Sequence, residues 1–119
     1  MGGVVYHSNY LNYFERGRSE WAEQAGLGIE WQKEQGIYFL VRYAKLDYLK
    51  PARLHEIVEV VSNIKEVRLA SIIYDQHLRL QASPDTILCK GEIKVVCIGN
   101  DFKPCELPQK MTNFIGEPL

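Results

Sequence analysis

No stretch of the sequence stays apolar for the roughly 18 residues that a bilayer span needs, and no basic segment followed by an apolar one opens the chain. Neither a membrane insertion nor a secretory leader is therefore expected, and the cytoplasm is the expected location. Charge of one sign is lacking as well. Fourteen Lys and Arg stand against fifteen Asp and Glu, a formal net charge of −1, so no global positive field draws in nucleic acid, and an anionic ligand would need a local basic patch. Cysteine is scarce. Cys89, Cys97 and Cys105 are odd in number and not spaced as CxxC, which points to ordinary reduced thiols rather than a disulfide framework or a zinc site. No Walker loop, GxGxxG, HExxH or EF-hand loop is present, so no cofactor and no metal is implied. His7, Ser8 and the several Asp residues lack the GxSxG setting of a hydrolytic triad. Repeats, low-complexity tracts and Gly/Ser linkers are missing too, and residues 1–119 read as one domain.

What is present is the profile of a globular chain, 46% hydrophobic and 24% charged. A domain of this size buries about 65% of its unfolded surface, enough for a core but thin enough for association to matter. Ser8 or Asn9 is a suitable cap for one long helix running to about Ala25 and stopping at Gly26. On it Tyr10, Phe14, Gly17 and Trp21 form a stripe that should face a sheet, with Gly17 allowing close approach. Residues 27–36, with Gly28 and Gly36, read as a loop holding one irregular turn.

Strand signals follow. Ile37 to about Leu49 is apolar on both parities, as a strand covered on both sides would be, and Lys50-Pro51-Ala52 ends it. Glu56 to Val67 puts Val58, Val60 and Ile64 on one face; Ala70 to Leu80 opposes Ile72, Tyr74, Leu78 and Leu80 to Ser71, Asp75, His77 and Arg79. After the Ser83-Pro84-Asp85 turn, Ile87, Cys89, Ile93, Val95 and Cys97 alternate against Lys90, Glu92 and Lys94. A short helix is expected from Pro108. One helix followed by four strands with short links is an α+β pattern with an antiparallel sheet packed against the helix. Its edge strands need covering or pairing.

The chemistry concentrates in Gly2-Gly3-Val4-Val5-Tyr6-His7-Ser8-Asn9-Tyr10-Leu11-Asn12-Tyr13-Phe14-Glu15-Arg16-Gly17-Arg18, where glycines lead into a helix start. Unpaired N–H groups there can hold a carbonyl oxygen and stabilise an oxyanion, as in thioester or ester hydrolysis, given a carboxylate as base or nucleophile. His7, Leu11, Glu15, Arg18 and Ala22 form a second stripe beside the core stripe, aimed at one side of a cleft. Two plainer readings stay open: a histidine at a helix entrance also serves as a satisfied structural group, and Glu15 with Arg18 also fits an i,i+3 ion pair.

At these residues the sequence resembles the hot-dog-fold acyl-CoA thioesterases of the 4-hydroxybenzoyl-CoA thioesterase family, especially the branch associated with the Tol-Pal envelope system. The resemblance extends through Asp47-Tyr48-Leu49-Lys50-Pro51-Ala52-Arg53-Leu54 and from Val95-Val96-Cys97 through Lys103-Pro104 to Leu107-Pro108. It implies a long central helix wrapped by an antiparallel sheet, homodimers with sites between subunits, and dimers pairing into homotetramers. It implies an acyl-CoA substrate whose thioester carbonyl meets the backbone N–H of His7, an acyl pocket bordered by Tyr6 and Glu15, and coenzyme A phosphates held by Arg68 and Lys103. Those last two side chains equally suit a solvated surface. Tyr10, Tyr13 and Phe14 themselves suggest an apolar pocket near the helix start, with core packing equally open for Phe14, and Glu15 is the one carboxylate on the helix face beside His7, which makes the two the catalytic candidates.

One departure is evident. The family motif opens with Asp-x-Asp-Ala-Gly-Gly, whose second Asp is the catalytic carboxylate, and Met1 stands at the Ala position. The expectation is a chain without that Asp and without the family's first strand, and hence with weakened turnover. The resemblance implies a thioester hydrolase; a non-catalytic acyl-thioester-binding or scaffold module of the same fold is the alternative, and a hot-dog hydratase a third option without its usual signatures.

Overall fold

The computed structural model describes residues 7–53 and 55–116, with side chains from Tyr10 onward. Helix α1, His7–Gln24, is followed by α2, Ile29–Glu34, then strands β1, Ile37–Tyr48, β2, Val58–Val67, β3, Ser71–Leu80, and β4, Ile87–Gly99, and a closing helix α3, Gln109–Ile115. Because α1 already includes Ser8 and Asn9, they lie in its first turn rather than capping it. The first strand that the resemblance places ahead of Gly2 falls outside the described residues. Gly26 ends the helix as expected, with φ of +74°, a left-handed geometry that glycine adopts without a Cβ penalty.

The stretch 27–36 is more ordered than a loop with one irregular turn. It holds α2, only six residues long, with Glu30 in its first turn and Lys33 in its last, complementary to the helix dipole. A helix of under two turns leaves no apolar periodicity to read.

The four strands form one antiparallel sheet in the order β1-β4-β3-β2. Strands β2, β3 and β4 are a meander, and β1 returns to pair along β4 from Ile37 opposite Gly99 to Tyr48 opposite Cys89. A bulge between Val41 and Tyr43 interrupts that ladder, as another does between Ile64 and Glu66 in β2.

The predicted faces of β2, β3 and β4 are those observed. Ile72, Tyr74, Leu78, Cys89, Ile93, Val95 and Cys97 are buried in one core with Tyr10 and Phe14 of α1, and Val58, Val60 and Ile64 pack against it. Phe14 sits over Gly91, where an added Cβ would lie 3.0 Å from its Cε2 atom. The absence of a side chain at that one position lets the ring meet the sheet backbone. Gly17 plays the same part beside β2, its notional Cβ 2.7 Å from Val60 Cγ1.

Strand β1 differs from its expected double coverage. Leu40 and Val41 are more than half exposed, and Tyr38 and Tyr48 are also exposed. It lies at the sheet edge, where β4 is its single strand neighbour, and α1 packs against β2 and β3 instead. Among the described residues no helix is long and apolar enough to cross a membrane.

Candidate functional site

A cavity of about 520 Å³ opens beside α1. Leu11, Glu15, Arg18 and Ala22, four members of the second helical stripe, form one wall. Phe39, Val41 and Ala44 of β1 face them, Ile29 and Gln32 of α2 close one side, and Met111 reaches in from α3. The floor is Ile72, Tyr74, Ile93 and Val95. An apolar floor with a few polar groups on one wall is the usual constitution of a small-molecule pocket.

The polar groups are specific. Arg18 donates from Nη1 to Gln76 Oε1 at 2.8 Å, rather than pairing with Glu15 at i,i+3. Burial pushes the Arg18 pKa below its ordinary value, partly offset by Tyr74 and Glu15 nearby, yet a guanidinium remains protonated at neutral pH. Burial holds the Tyr74 phenol up to about 12, so at neutral pH it is uncharged. Trp21 meets the Tyr74 ring edge-on, centroids 5.9 Å apart.

Gln76 is the site feature that the sequence reading missed. It is 2% exposed, and its Nε2 donates both to the Phe14 carbonyl (2.9 Å) and to Ser62 Oγ (2.8 Å) while its Oε1 accepts from Arg18. One amide thus ties β2, β3 and α1 together, one residue from Glu15. Because apolar packing alone tolerates sliding, a fully satisfied buried amide fixes where the helix rests on the sheet. A signal was available, since Gln76 is in phase with Ile72, Tyr74 and Leu78, where a polar residue breaks the pattern.

The predicted site residues are not all gathered in one place. His7 is the first residue of α1 and Glu15 stands on the cavity wall two turns further on. Tyr6 lies outside the described residues, and nothing is described of the His7 side chain. Tyr10 is 1% exposed and lies outside the cavity lining. Its hydroxyl accepts from the Ala52 N–H (3.1 Å) and donates to the Lys50 carbonyl (3.4 Å), and its ring leans on Tyr48. The structure therefore makes Tyr10 a core residue that anchors the chain after β1.

Arg68 and Lys103 occupy one end of the sheet, away from the cavity lining. Arg68, in the β2–β3 turn, grips Glu66 with Nε at 2.7 Å and Nη2 at 3.1 Å, and that carboxylate raises its pKa. Lys103 follows β4 in a turn held by its N–H on Asp101 Oδ1 (3.1 Å), with its side chain exposed. The Cys97 N–H donates to the Ala70 carbonyl and the Cys105 N–H to the Cys97 carbonyl, so both turns flank the last residues of β4. Among the described residues no group of three or more His, Cys, Asp or Glu is placed to hold a metal ion.

Comparison with known proteins adds independent findings. The family model described as the thioesterase superfamily matches residues 2–87. The acyl-CoA thioester hydrolase YbgC of Escherichia coli O6:H1 is 32% identical over 111 residues, covering 92% of this chain and 81% of that protein. The acyl-CoA thioesterase YbgC of Haemophilus influenzae is 32% identical over 112 residues, covering 92% and 80%. Among solved structures, a 1,4-dihydroxy-2-naphthoyl-CoA thioesterase from Synechocystis superposes with a TM-score of 0.86 over 95% of this chain and 83% of that one, at 22% identity, a likeness of fold.

Proposed function

Since the chain belongs to the thioesterase superfamily and has the hot-dog fold, we propose that it is an acyl-CoA thioesterase working at the cavity beside α1. Water adds to the thioester carbonyl as a carboxylate base takes one of its protons, the resulting oxyanion collapses, and coenzyme A leaves as the thiolate. The observation that carries this reading is the shared wall: the helix whose first residue is His7 also lines the cavity with Leu11, Glu15, Arg18 and Ala22.

In this reading the backbone N–H of His7, at a helix start where such groups have no intrahelical partner, receives the carbonyl oxygen. A donor so placed contributes on the order of 3 kcal/mol to the transition state. The acyl group lies on the floor of Ile72, Ile93 and Val95, and Glu15 borders it. Arg68 and Lys103 meet the phosphates of coenzyme A, a modest contribution because both are exposed and Arg68 already holds Glu66. The sequence GGVVYHSNYLNYFERGRSE supports placing the chain in the Tol-Pal-associated branch, acting in the cytoplasm.

We read the active form as a homodimer. The open edge of β1 and its exposed Leu40 and Val41 support a second copy on that side, and a pair of dimers would give the tetramer.

The test is release of free coenzyme A thiol from a panel of acyl-CoAs. It is run on the 119-residue chain and on the same chain carrying Asp-x-Asp-Ala ahead of Gly2. The added carboxylate is expected to raise the rate roughly 10²–10⁴-fold, the usual contribution of a positioned base. Equal rates abolished in both by Glu15→Gln would move the base to Glu15. Binding without thiol release in either form would make the protein an acyl-thioester-binding module instead.

A further inference from the structure

Two of the three cysteines meet in space. Cys97 Sγ lies 3.3 Å from Cys105 Sγ. The backbone explains the approach: the Ile98–Pro104 bridge is flanked by hydrogen bonds from the Gly99 N–H to the Lys103 carbonyl (3.0 Å) and from the Cys105 N–H to the Cys97 carbonyl (2.9 Å). Cys97 and Cys105 are thus opposite each other in a short antiparallel pair. One hydrogen bond, from the Cys105 N–H to the Cys97 carbonyl, joins the two residues directly, and their sulfurs are in contact. Spacing in the sequence did not show this, because the turn at Asn100-Asp101-Phe102 folds the segment back on β4.

We propose that Cys97 and Cys105 are a covalent modification site, a dithiol that closes to an intramolecular disulfide in the folded chain. The sulfurs already touch, at 3.3 Å, and close to a bond length of about 2.05 Å on oxidation. The two thiols are unlike: Cys97 is fully buried, whereas Cys105 is half-buried. Cys105, the more exposed of the two, meets an oxidant from solvent first.

With glutathione disulfide as the oxidant, the Cys105 thiolate attacks one of its sulfurs and displaces a glutathione thiolate, leaving a mixed disulfide on Cys105. Cys97 then gives up its proton to solvent and attacks Cys105 Sγ, which expels the second glutathione. Two protein thiols are oxidised and one glutathione disulfide becomes two thiols. The product pins to β4 the segment that carries Lys103 and leads into α3. Cys89 has no such partner. It is buried, with its thiol donating to the Lys90 carbonyl at 3.7 Å. Among the described residues no third ligand turns the pair into a metal site.

The experiment equilibrates the folded 119-residue chain in glutathione buffers of rising oxidised fraction, blocks remaining thiols after denaturation, and maps the peptides by mass. Both cysteines fall in one tryptic peptide, 95–110, because the Lys103–Pro104 bond resists trypsin. That peptide is expected to lose two hydrogens while Cys89 stays alkylatable. Cleavage ahead of Asp101 should then leave two fragments joined until a reductant is added. Cys97→Ser should stop at a glutathione adduct on Cys105, and Cys105→Ser should give neither adduct nor disulfide. Three free thiols throughout, a lasting adduct on Cys105 of the unmodified chain, or a disulfide between two chains would overturn the proposal.

Discussion

Strands β4 and β1 lie side by side, are comparably rich in apolar residues and share one hydrogen-bonded ladder, yet their surroundings are opposite. In β4 the side chains of Cys89, Ile93, Val95 and Cys97 are at most 6% exposed, whereas Leu40 and Val41 of β1 are 54% and 53% exposed. Composition does not make this difference. Strand β4 is flanked by two strands and covered by Phe14 of α1, while β1 has one neighbour and no long helix above it. Where the helix stops reaching, the cavity begins, and the apolar side chains of β1 become its wall and its edge. The covered half of the sheet is a stability device, and the open half offers the surface on which we place the acyl group and a second copy of the chain.

Substitutions can break this contrast on either side. The largest effect is expected on the covered half, where Phe14→Ala removes a fully buried ring over Gly91 and should cost about 3–5 kcal/mol in denaturant unfolding. Gln76→Leu comes next. It keeps the volume but strands Ser62 Oγ and the Arg18 guanidinium, a loss of about 1–3 kcal/mol measurable in the same way.

On the open half Leu40→Lys should change unfolding of the single chain by less than about 0.5 kcal/mol. It should nonetheless shift light scattering from dimer to monomer at micromolar concentration. Unchanged mass would place the interface elsewhere.

The smallest effect concerns the outer face, where Glu92 accepts from Lys65 of β2 and from Tyr43 of β1. Those hydrogen bonds hold its pKa below the ordinary 4.5. The folded form therefore gains stability above that value and loses it as pH falls below, because the unfolded chain then binds the proton first. Glu92→Gln should flatten this small acid dependence in melting curves taken as pH falls through 4.5.

Much of the covered half was legible in the sequence, because alternation along β2, β3 and β4 and the Tyr10–Phe14–Gly17–Trp21 stripe are local patterns with one buried face. What the sequence hid depends on contacts between distant segments. Gln76 is an ordinary polar residue until Phe14 and Ser62 come to meet it. Helix α2 is too short to show a period. Strand β1 read as doubly covered because its apolar residues fall on both parities, and a single chain supplies cover for only part of them.

The candidate site was half legible. The stripe containing Glu15, Arg18 and Ala22 does border the cavity, whereas Tyr10 is held outside its lining by Lys50 and Ala52, and Arg68 also pairs with Glu66. Ionic and hydrogen-bonding partners of this kind are fixed by the fold, not by spacing.

The central claim is that the cavity between α1 and β1 is where acyl-CoA is hydrolysed. Ala44, exposed on β1 and lining that cavity opposite the helix, allows a direct test. Ala44→Trp should fill the acyl space while leaving the core untouched. Free-thiol release from acyl-CoA is expected to fall at least about tenfold, in line with losing a few kcal/mol of acyl binding, with the melting temperature within a degree or two of the parent. Undiminished hydrolysis by a folded Ala44→Trp protein would show that the acyl group binds elsewhere and would contradict the account.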